Sequence, residues 1–255
     1  MGKEIEQLTR INLPKVDSTN NFCKDMLSFG DALEGITLVV ADEQTAGRGQ
    51  ATNTWESEKG KNLTFSVVCH PDFVKPSEQF ILSQCMAVAL WRSLSSIVDK
   101  VSIKWPNDIY VGDRKISGTL IECDLKGKKI ENCIIGVGLN VNQKEFHSDA
   151  PNPISLLQAT DKVQDREILL TQIMEEFCTL YEQIRHGDIE TMRKEYLIHL
   201  YRKEGLHRYE DVRGEFMAEI ADVEPTGHLR LRFENGNECR YEFKEVRFIF
   251  PQEVQ

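Results

Sequence analysis

The chain has 255 residues, 40% hydrophobic and 28% charged, with a formal net charge of −10. That balance is typical of a folded globular protein and argues against a broad nucleic-acid-binding face. The length fits one large domain, or one of about 200 residues with a small module attached.

In chain order, "INLPKVDSTN" reads as a strand leading into a helix, with Asp17 or Ser18 as N-cap. Lys3, Glu4 and Glu6 stand before it, where a signal peptide needs an apolar core. Short apolar strands are expected over 35–41 and 62–70, on either side of a glycine-containing loop. A long helix starts near Ser77, just past Pro76, and Leu82, Met86, Ala89, Leu90, Leu94 and Ile97 form its core face. A strand over 101–105 follows, then a hairpin of 119–125 and 129–141 turned at "KGK". Residues 142–165 are polar and proline-marked, and read as loop. Residues 167–186 form an amphipathic helix through Leu169, Ile173, Phe177, Leu180 and Ile184, stopped by Gly187. A second helix runs from Asp188 to about Arg202.

From about Gly205 the pattern turns all-β. "LRLRFENGNECRYEF" alternates on both sides of Asn235-Gly236, a two-residue hairpin signal. Leu229, Leu231 and Phe233 face one way, and Arg230, Arg232 and Glu234 the other; Val246, Phe248 and Phe250 extend the pattern. Five or so short strands in about 50 residues predict a small barrel, too small to stand alone and docked on the rest. The expected division is 1–204 and 205–255. The apolar runs around 36–41 and 133–141 are too short to cross a bilayer. Seven cysteines with no C-x-x-C pair read as reduced, buried thiols of a cytoplasmic protein, and six scattered histidines suggest no zinc site.

Four stretches carry chemistry. Asp17-Ser18-Thr19-Asn20 stands at a helix start, where capping alone accounts for Asp17 or Ser18. "EQTAGRGQATNTWES" places Arg48 between Gly47 and Gly49. Its glycines let the backbone approach a ligand, and a guanidinium suits phosphate or carboxylate. "KWPNDIYVGDRKISGTLIE" holds a rigid Trp-Pro-Asn-Asp turn. Its Asn107 and Asp108 suit ribose, metal or an amine; Lys115 follows on the next strand, with space left beside it by Gly118. "GVGLNVN" ends a strand with Asn140 and Asn142, whose carbonyls suit Mg²⁺. Each stretch also has a plain structural reading: a cap, a surface loop, a turn with a snorkelling lysine, a polar strand end. No Walker loop is present, and G-x-G-x-x-G fails at Thr52 and at Val141. No Ser-His-Asp, Cys-His or paired-carboxylate order stands out. Cations and amides around a glycine loop suit acyl activation by a nucleotide, in which positioning and electrostatics do most of the catalysis.

In this order, Ser18-Thr19-Asn20, Gln44 to Gly49 with Trp55, Lys104 to Asp108, Arg114 to Gly118 and Gly136 to Asn140, the chain resembles the biotin protein ligases from about residue 10 to the end. The resemblance implies an α+β fold, a mixed β-sheet with helices like that of class II aminoacyl-tRNA synthetases, with a small C-terminal Src-homology-3-like β-barrel. It implies that biotin and MgATP give biotinyl-adenylate and pyrophosphate, and that a lysine of a biotin carboxyl carrier domain then takes the biotin. Biotin would be held by Ser18, Thr19, Asn20, Gln44, Gly47, Arg48, Gly49, Gln50, Lys115 and Gly118. The nucleotide would meet Arg48, Gln50, Asn53, Trp55, Asn107, Asp108, Lys115 and Asn140, with Trp55 on the adenine side. Lys115 and Arg48 would be the catalytic cations, and Mg²⁺ would come mostly on the ATP phosphates, with Asn140 as a further ligand.

Gln50 and Asn53 stand where some members have arginines, so phosphate grip rests more on Arg48 and backbone groups. Only about ten residues precede the first motif strand, so no DNA-binding helix-turn-helix and no nucleic-acid partner are expected, nor any membrane partner. The oligomeric state is left as monomer or homodimer. Residues 46–56 have few apolar anchors and are expected to order around ligand. The outward face of Arg230, Arg232, Arg240 and Lys244 is expected to meet an acidic carrier domain or cover the nucleotide. A lipoate or octanoate ligase or transferase of the same fold, and a non-catalytic biotin- or carrier-binding module, are the alternative readings.

Overall fold

Two sheets organise the molecule, a computed structural model in which residues 8–29, 35–50, 53–148 and 152–250 are described. The first strands, β1 (Leu8–Leu13) and β2 (Ile36–Ala41), are parallel because helix α1 (Thr19–Ser28) lies in the connection between them. The rest of this sheet is antiparallel: β3 (Leu63–Cys69), β4 (Val101–Lys104), β5 (Asp108–Val111), β6 (Arg114–Lys126) and β7 (Lys129–Leu139). The seven strands run β1-β2-β3-β7-β6-β5-β4, so the mixed sheet read from the sequence is present.

Alternation along the strands decides where the site lies. Leu63, Phe65, Val67 and Cys69 of β3, and Cys133, Ile135, Val137 and Leu139 of β7, enter the main core. They share it with α2 (Phe80–Ser95), α4 (Arg166–Arg185) and α5 (Ile189–Ile198), of which α2 packs on both α4 and α5. Strand side chains alternate faces. Val68 and Ile134 therefore point the other way, to a small cluster with Val39 and Cys23 of α1. Ser66, Gly136 and Gly138 share that second face, which is open to a ligand.

The C-terminal sheet is antiparallel, in the order β11-β10-β9-β8-β12, from β8 (His207–Asp211), β9 (Gly214–Val223), β10 (Leu229–Phe233), β11 (Glu238–Tyr241) and β12 (Arg247–Phe248). Asn235-Gly236 makes the β10–β11 turn, with Gly236 at a φ of +81°. Leu229 and Leu231 are fully buried, as their alternation predicts. This sheet docks on the first: Trp105 Nε1 donates to the Gly227 carbonyl (2.8 Å), and Tyr201 packs on Phe248 and Phe250.

Several expectations change. The helix near Ser77 opens as a 3-10 turn at Pro76–Glu78, and α2 starts at Phe80. Residues 81–90 of α2 are all buried, so it has no single core face, and Ile97 lies beyond its end. β6 runs from Arg114, so Lys115 is on a strand as expected and that strand continues into the hairpin expected from 119; β5 is an additional strand. A short helix, α3 (Leu156–Thr160), stands within the stretch read as loop; Ser155 and Gln158 form its capping box. Ser18 holds the N-cap position of α1, but its side chain makes no capping bond. Arg230 and Arg232 pair with Glu238, Arg232 also with Glu219 and Arg240 with Glu224, so the expected basic face is largely neutralised.

Candidate active site

The glycine-bearing face of the first sheet floors a cavity of about 730 Å³ that reaches to the C-terminal sheet. At one end the start of α1 is tied to it by a polar network. Ser18, Thr19 and Asn20 are buried. Gln44 Oε1 accepts from the Thr19 N–H (2.8 Å) and the Thr19 hydroxyl (3.0 Å). The Ser66 hydroxyl lies 2.7 Å from Thr19 Oγ1 and 2.6 Å from Asn20 Oδ1. Asn20 Nδ2 donates to Glu122 (2.9 Å). A Cβ at position 136 would stand 2.1 Å from Asn20 Oδ1, which is why β7 carries glycine there. Ser18–Asn20 thus form a fixed polar wall, beyond their part in starting a helix.

The Arg48 loop closes over this floor as a narrow hairpin. The Gly49 N–H donates to the Asn53 carbonyl (2.8 Å) and the Trp55 N–H to the Gly47 carbonyl (2.9 Å). Ala51 and Thr52, inside the segment expected to order around ligand, lie outside the described residues. Trp55 lies flush on the strands: a Cβ on Gly138 would meet its ring at 2.2 Å, and one on Gly118 at 3.2 Å. Its Nε1 is buried without a partner. Trp55 therefore sits over the glycine floor itself, between the α1 wall and Lys115. Gln50 and Asn53 also line the cavity, and Gln50 Nε2 donates to Asn107 (3.3 Å).

Of the cations that line the cavity, Arg48 and Lys115 stand at the glycine floor, each held by a carboxylate. Arg48 bonds Glu122 (3.0 Å) and Asn21 (2.9 Å). Lys115 Nζ donates to Asp108 (2.7 Å) and lies 5.9 Å from the Trp55 ring centroid. The Lys115 backbone is fixed by bonds to Asn152 and Ile154, and a Cβ on Gly118 would fall 3.1 Å from its Nζ. Asn140 lines the same cavity with its Oδ1 buried and unpartnered. Asn107 does not join them: it is buried, donates to Ser83 (3.0 Å) and lines an adjoining cavity. Asn142 is spent on Gln164, which it both donates to and accepts from.

Ser66, Glu122 and Lys104 escaped the sequence reading as site residues. Glu122 and Lys104 stand inside a stretch singled out for its chemistry, whereas nothing local marks Ser66. Burial pushes the Glu122 pKa up, but bonds from Lys24, Asn20 and Arg48 outweigh it and hold it below the usual range. The pair therefore persists above the ordinary glutamate pKa of about 4.3 and is lost only as the pH falls through the lower folded value. Glu122→Gln should release Arg48 at neutral pH at a stability cost of at most about 1 kcal/mol, since the arginine is more than a third exposed. Limited proteolysis at residues 46–50 should become several-fold faster; an unchanged rate would mean that Glu122 does not hold the loop.

The arrangement can hold an acid between the polar wall and Trp55, with its anion meeting Arg48 and Lys115, and among the described residues it offers no nucleophile–base pair. The profile of the biotin/lipoate A/B protein ligase family matches residues 13–140. The chain is 31% identical over 220 residues to the bifunctional ligase/repressor BirA of Bacillus subtilis, covering 82% of this chain and 65% of that one. It therefore spans slightly less than two thirds of that relative's length. It is 28% identical over 179 residues to the biotin–[acetyl-CoA-carboxylase] ligase of Paracoccus denitrificans, covering 68% of this chain and 72% of that one. The solved biotin protein ligase from Aquifex aeolicus in complex with biotin and ATP superposes with a TM-score of 0.77 at 24% identity, over 94% of this chain and 99% of the other, which shows a shared fold.

Proposed function

The chain belongs to the biotin/lipoate A/B protein ligase family, and on that premise we propose that it is an ATP-dependent biotin protein ligase. The observation that carries the proposal is the single cavity in which Arg48 and Lys115, each on its own carboxylate, face a floor of Gly118, Gly136 and Gly138 beside the Thr19–Gln44–Ser66–Asn20 network. The names of the Bacillus, Paracoccus and Aquifex proteins support biotin as the acid, ATP as the activator and a carboxylase as the destination.

In this reading the polar network holds the head of biotin, and the glycine floor and Trp55 enclose its body. The biotin carboxylate attacks the α-phosphorus of ATP, a P–O bond forms, and the bond to the β-phosphate breaks to release pyrophosphate. Lys115 is preorganised between carboxylate and phosphate, and Arg48 turns from Glu122 to the same anions as they arrive. An amine of the carrier domain then attacks the acyl carbon of the mixed anhydride; the C–N bond forms, the C–O bond to phosphate breaks to release AMP, and the amine proton passes to solvent. Asp108, which holds Lys115 in place, is the carboxylate that would meet the carrier ammonium on its way in. Ser18, Gly47 and Gly49 serve the acid through backbone and wall, Gln50 and Asn53 serve the nucleotide side, and Trp55 stands between the two, one face to the acid and the other to the nucleotide. Asn107 acts indirectly, by positioning Gln50 and the turn that carries Asp108.

Mg²⁺ fits as a guest of the phosphates. Among the described residues no group of three metal-binding side chains is present, while Asn140 Oδ1 is a buried oxygen in want of a donor or a cation. Asn140 would meet the metal or its water, and the phosphates would supply the other ligands. We also propose the division at about residue 205, with residues 205–255 required for full activity because Trp105 and Tyr201 anchor that module to the site wall.

The test uses biotin, ATP, Mg²⁺ and a carrier domain. ATP-dependent attachment of one biotin to one carrier lysine is expected. Labelling that ignores ATP, or none at all with an active carrier control, would overturn the proposal.

A further inference from the structure

Lys104 closes β4 within the Trp-Pro-Asn-Asp stretch and lines the cavity, yet the chemistry above leaves it without a task. Its cross-strand partner is Asp108, but the Asp108 carboxylate takes Lys115 at 2.7 Å. Among the described residues no ion pair reaches Lys104. Its Nζ stands instead over two aromatic faces, 4.7 Å from the Phe248 centroid and 5.6 Å from that of Tyr110. Phe248 belongs to β12 of the C-terminal sheet, so the lysine is capped from the other module. Three other cavity cations differ: Arg48 has Glu122, Lys115 has Asp108 and Arg247 has Glu210, while Lys244, like Lys104, stands by an aromatic ring, that of Phe243. Burial holds the Lys104 ammonium below the usual lysine range, with the charge of Asp108 opposing it.

A half-desolvated ammonium without a counter-ion is costly, and cation–π contacts of about 0.5–2 kcal/mol offset only part of that. An arriving anion would supply the missing partner, in a place where aromatic walls strengthen the attraction. The position indicates which anion. The sheet order β6-β5-β4 puts the Lys104 strand two spacings, about 10 Å, from the Lys115 strand. Carboxylate and α-phosphate meet at Lys115, and the rest of a triphosphate can reach across that gap, toward the C-terminal module that also presents Lys244 and Arg247 to the cavity. We propose that Lys104 binds the β- and γ-phosphates of ATP, and so the leaving pyrophosphate, and that Phe248 of the C-terminal module holds it in place. This rests on the ligase reading above.

Biotin-dependent exchange of labelled pyrophosphate into ATP, measured on the full chain, tests it. Lys104→Met keeps the stem and removes the charge. It should raise the KM for pyrophosphate at least tenfold and lower the exchange rate by about ten- to a hundredfold. The affinity for biotin alone, and transfer from supplied biotinyl-adenylate to carrier, should stay within twofold. Lys104→Arg should recover much of the pyrophosphate affinity, which a role confined to packing of the stem does not predict. Phe248→Leu should raise the same KM several-fold while leaving biotin affinity unchanged. Exchange by the parent with a KM in Lys104→Met within threefold overturns the assignment alone. No biotin-dependent exchange by the parent overturns the ligase reading and the assignment with it. Should Lys104→Met fail to fold, Lys104→Gln is read by the same criteria.

Discussion

Lys115→Ala should form biotinyl-adenylate about 10²–10³-fold more slowly than the parent, the usual cost of losing one preorganised electrostatic donor. The step brings an anionic carboxylate against an anionic phosphate, and charge builds on the phosphoryl oxygens as pyrophosphate leaves. Arg48 sits on a hairpin tied to Glu122 and must change partner to help. Lys115 is fixed beforehand by backbone bonds to Asn152 and Ile154, and its Nζ already stands over the floor beside Gly118 and Trp55. Truncation also leaves Asp108 unpaired at the wall, where its charge repels the incoming phosphate. The pair is partly exposed, so stability should change by less than about 1 kcal/mol. Biotin affinity without ATP should fall much less than the rate. Lys115→Arg should not restore the rate, because a planar fork does not replace a compact ammonium and the space beside Gly118 is already filled to 3.1 Å. Pre-steady-state adenylation decides it: a rate within about threefold of the parent, below 1 kcal/mol, would remove Lys115 from the mechanism.

Gly136→Ala should cost at least tenfold in biotin affinity, about 1.4 kcal/mol, and destabilise the fold by about 1–3 kcal/mol as an overpacked site. The new Cβ would stand 2.1 Å from Asn20 Oδ1. The backbone of β7 lies between β3 and β6 and cannot retreat, so Asn20 must leave. Its departure breaks the contact with Ser66 and the bond to Glu122, and with them the wall that meets the acid. Gly138→Ala meets Trp55 instead, at 2.2 Å, and displaces a residue on a hairpin. Its stability cost should therefore be smaller, with the loss falling on loop closure. Calorimetric titration of biotin into Gly136→Ala, together with its melting temperature, checks the claim; affinity within twofold of the parent would mean that Asn20 is not part of the acid site.

Much of this molecule was legible in its sequence, for local reasons. Helical spacing located α4, Asn235-Gly236 located the β10–β11 turn, and the ordered short motifs located Lys115, Arg48 and the α1 start. The unread parts depend on partners distant in the chain. Ser66 matters because β3 brings it under Thr19, 47 residues earlier, and Glu122 because β6 brings it to Arg48, 74 residues earlier. The arginines of β10 read as a basic face because alternation gives direction but not register. Register sets Arg232 against Glu219 on one side and Glu238 on the other. Some misses did carry a local signal: Ser155 and Gln158 spell a capping box, which the prolines and polar residues around it obscured. β5 is four residues long and follows a turn directly, leaving too few positions for a period to show.

The most direct measurement of the central claim is pyrophosphate release from MgATP by the purified chain with biotin, lipoate or octanoate as the only acid. Release with biotin is expected to stop near one equivalent per active site when no carrier is present, as the adenylate stays bound, with background release for the other two. Equal or greater release with lipoate or octanoate, or release independent of any acid, would contradict it.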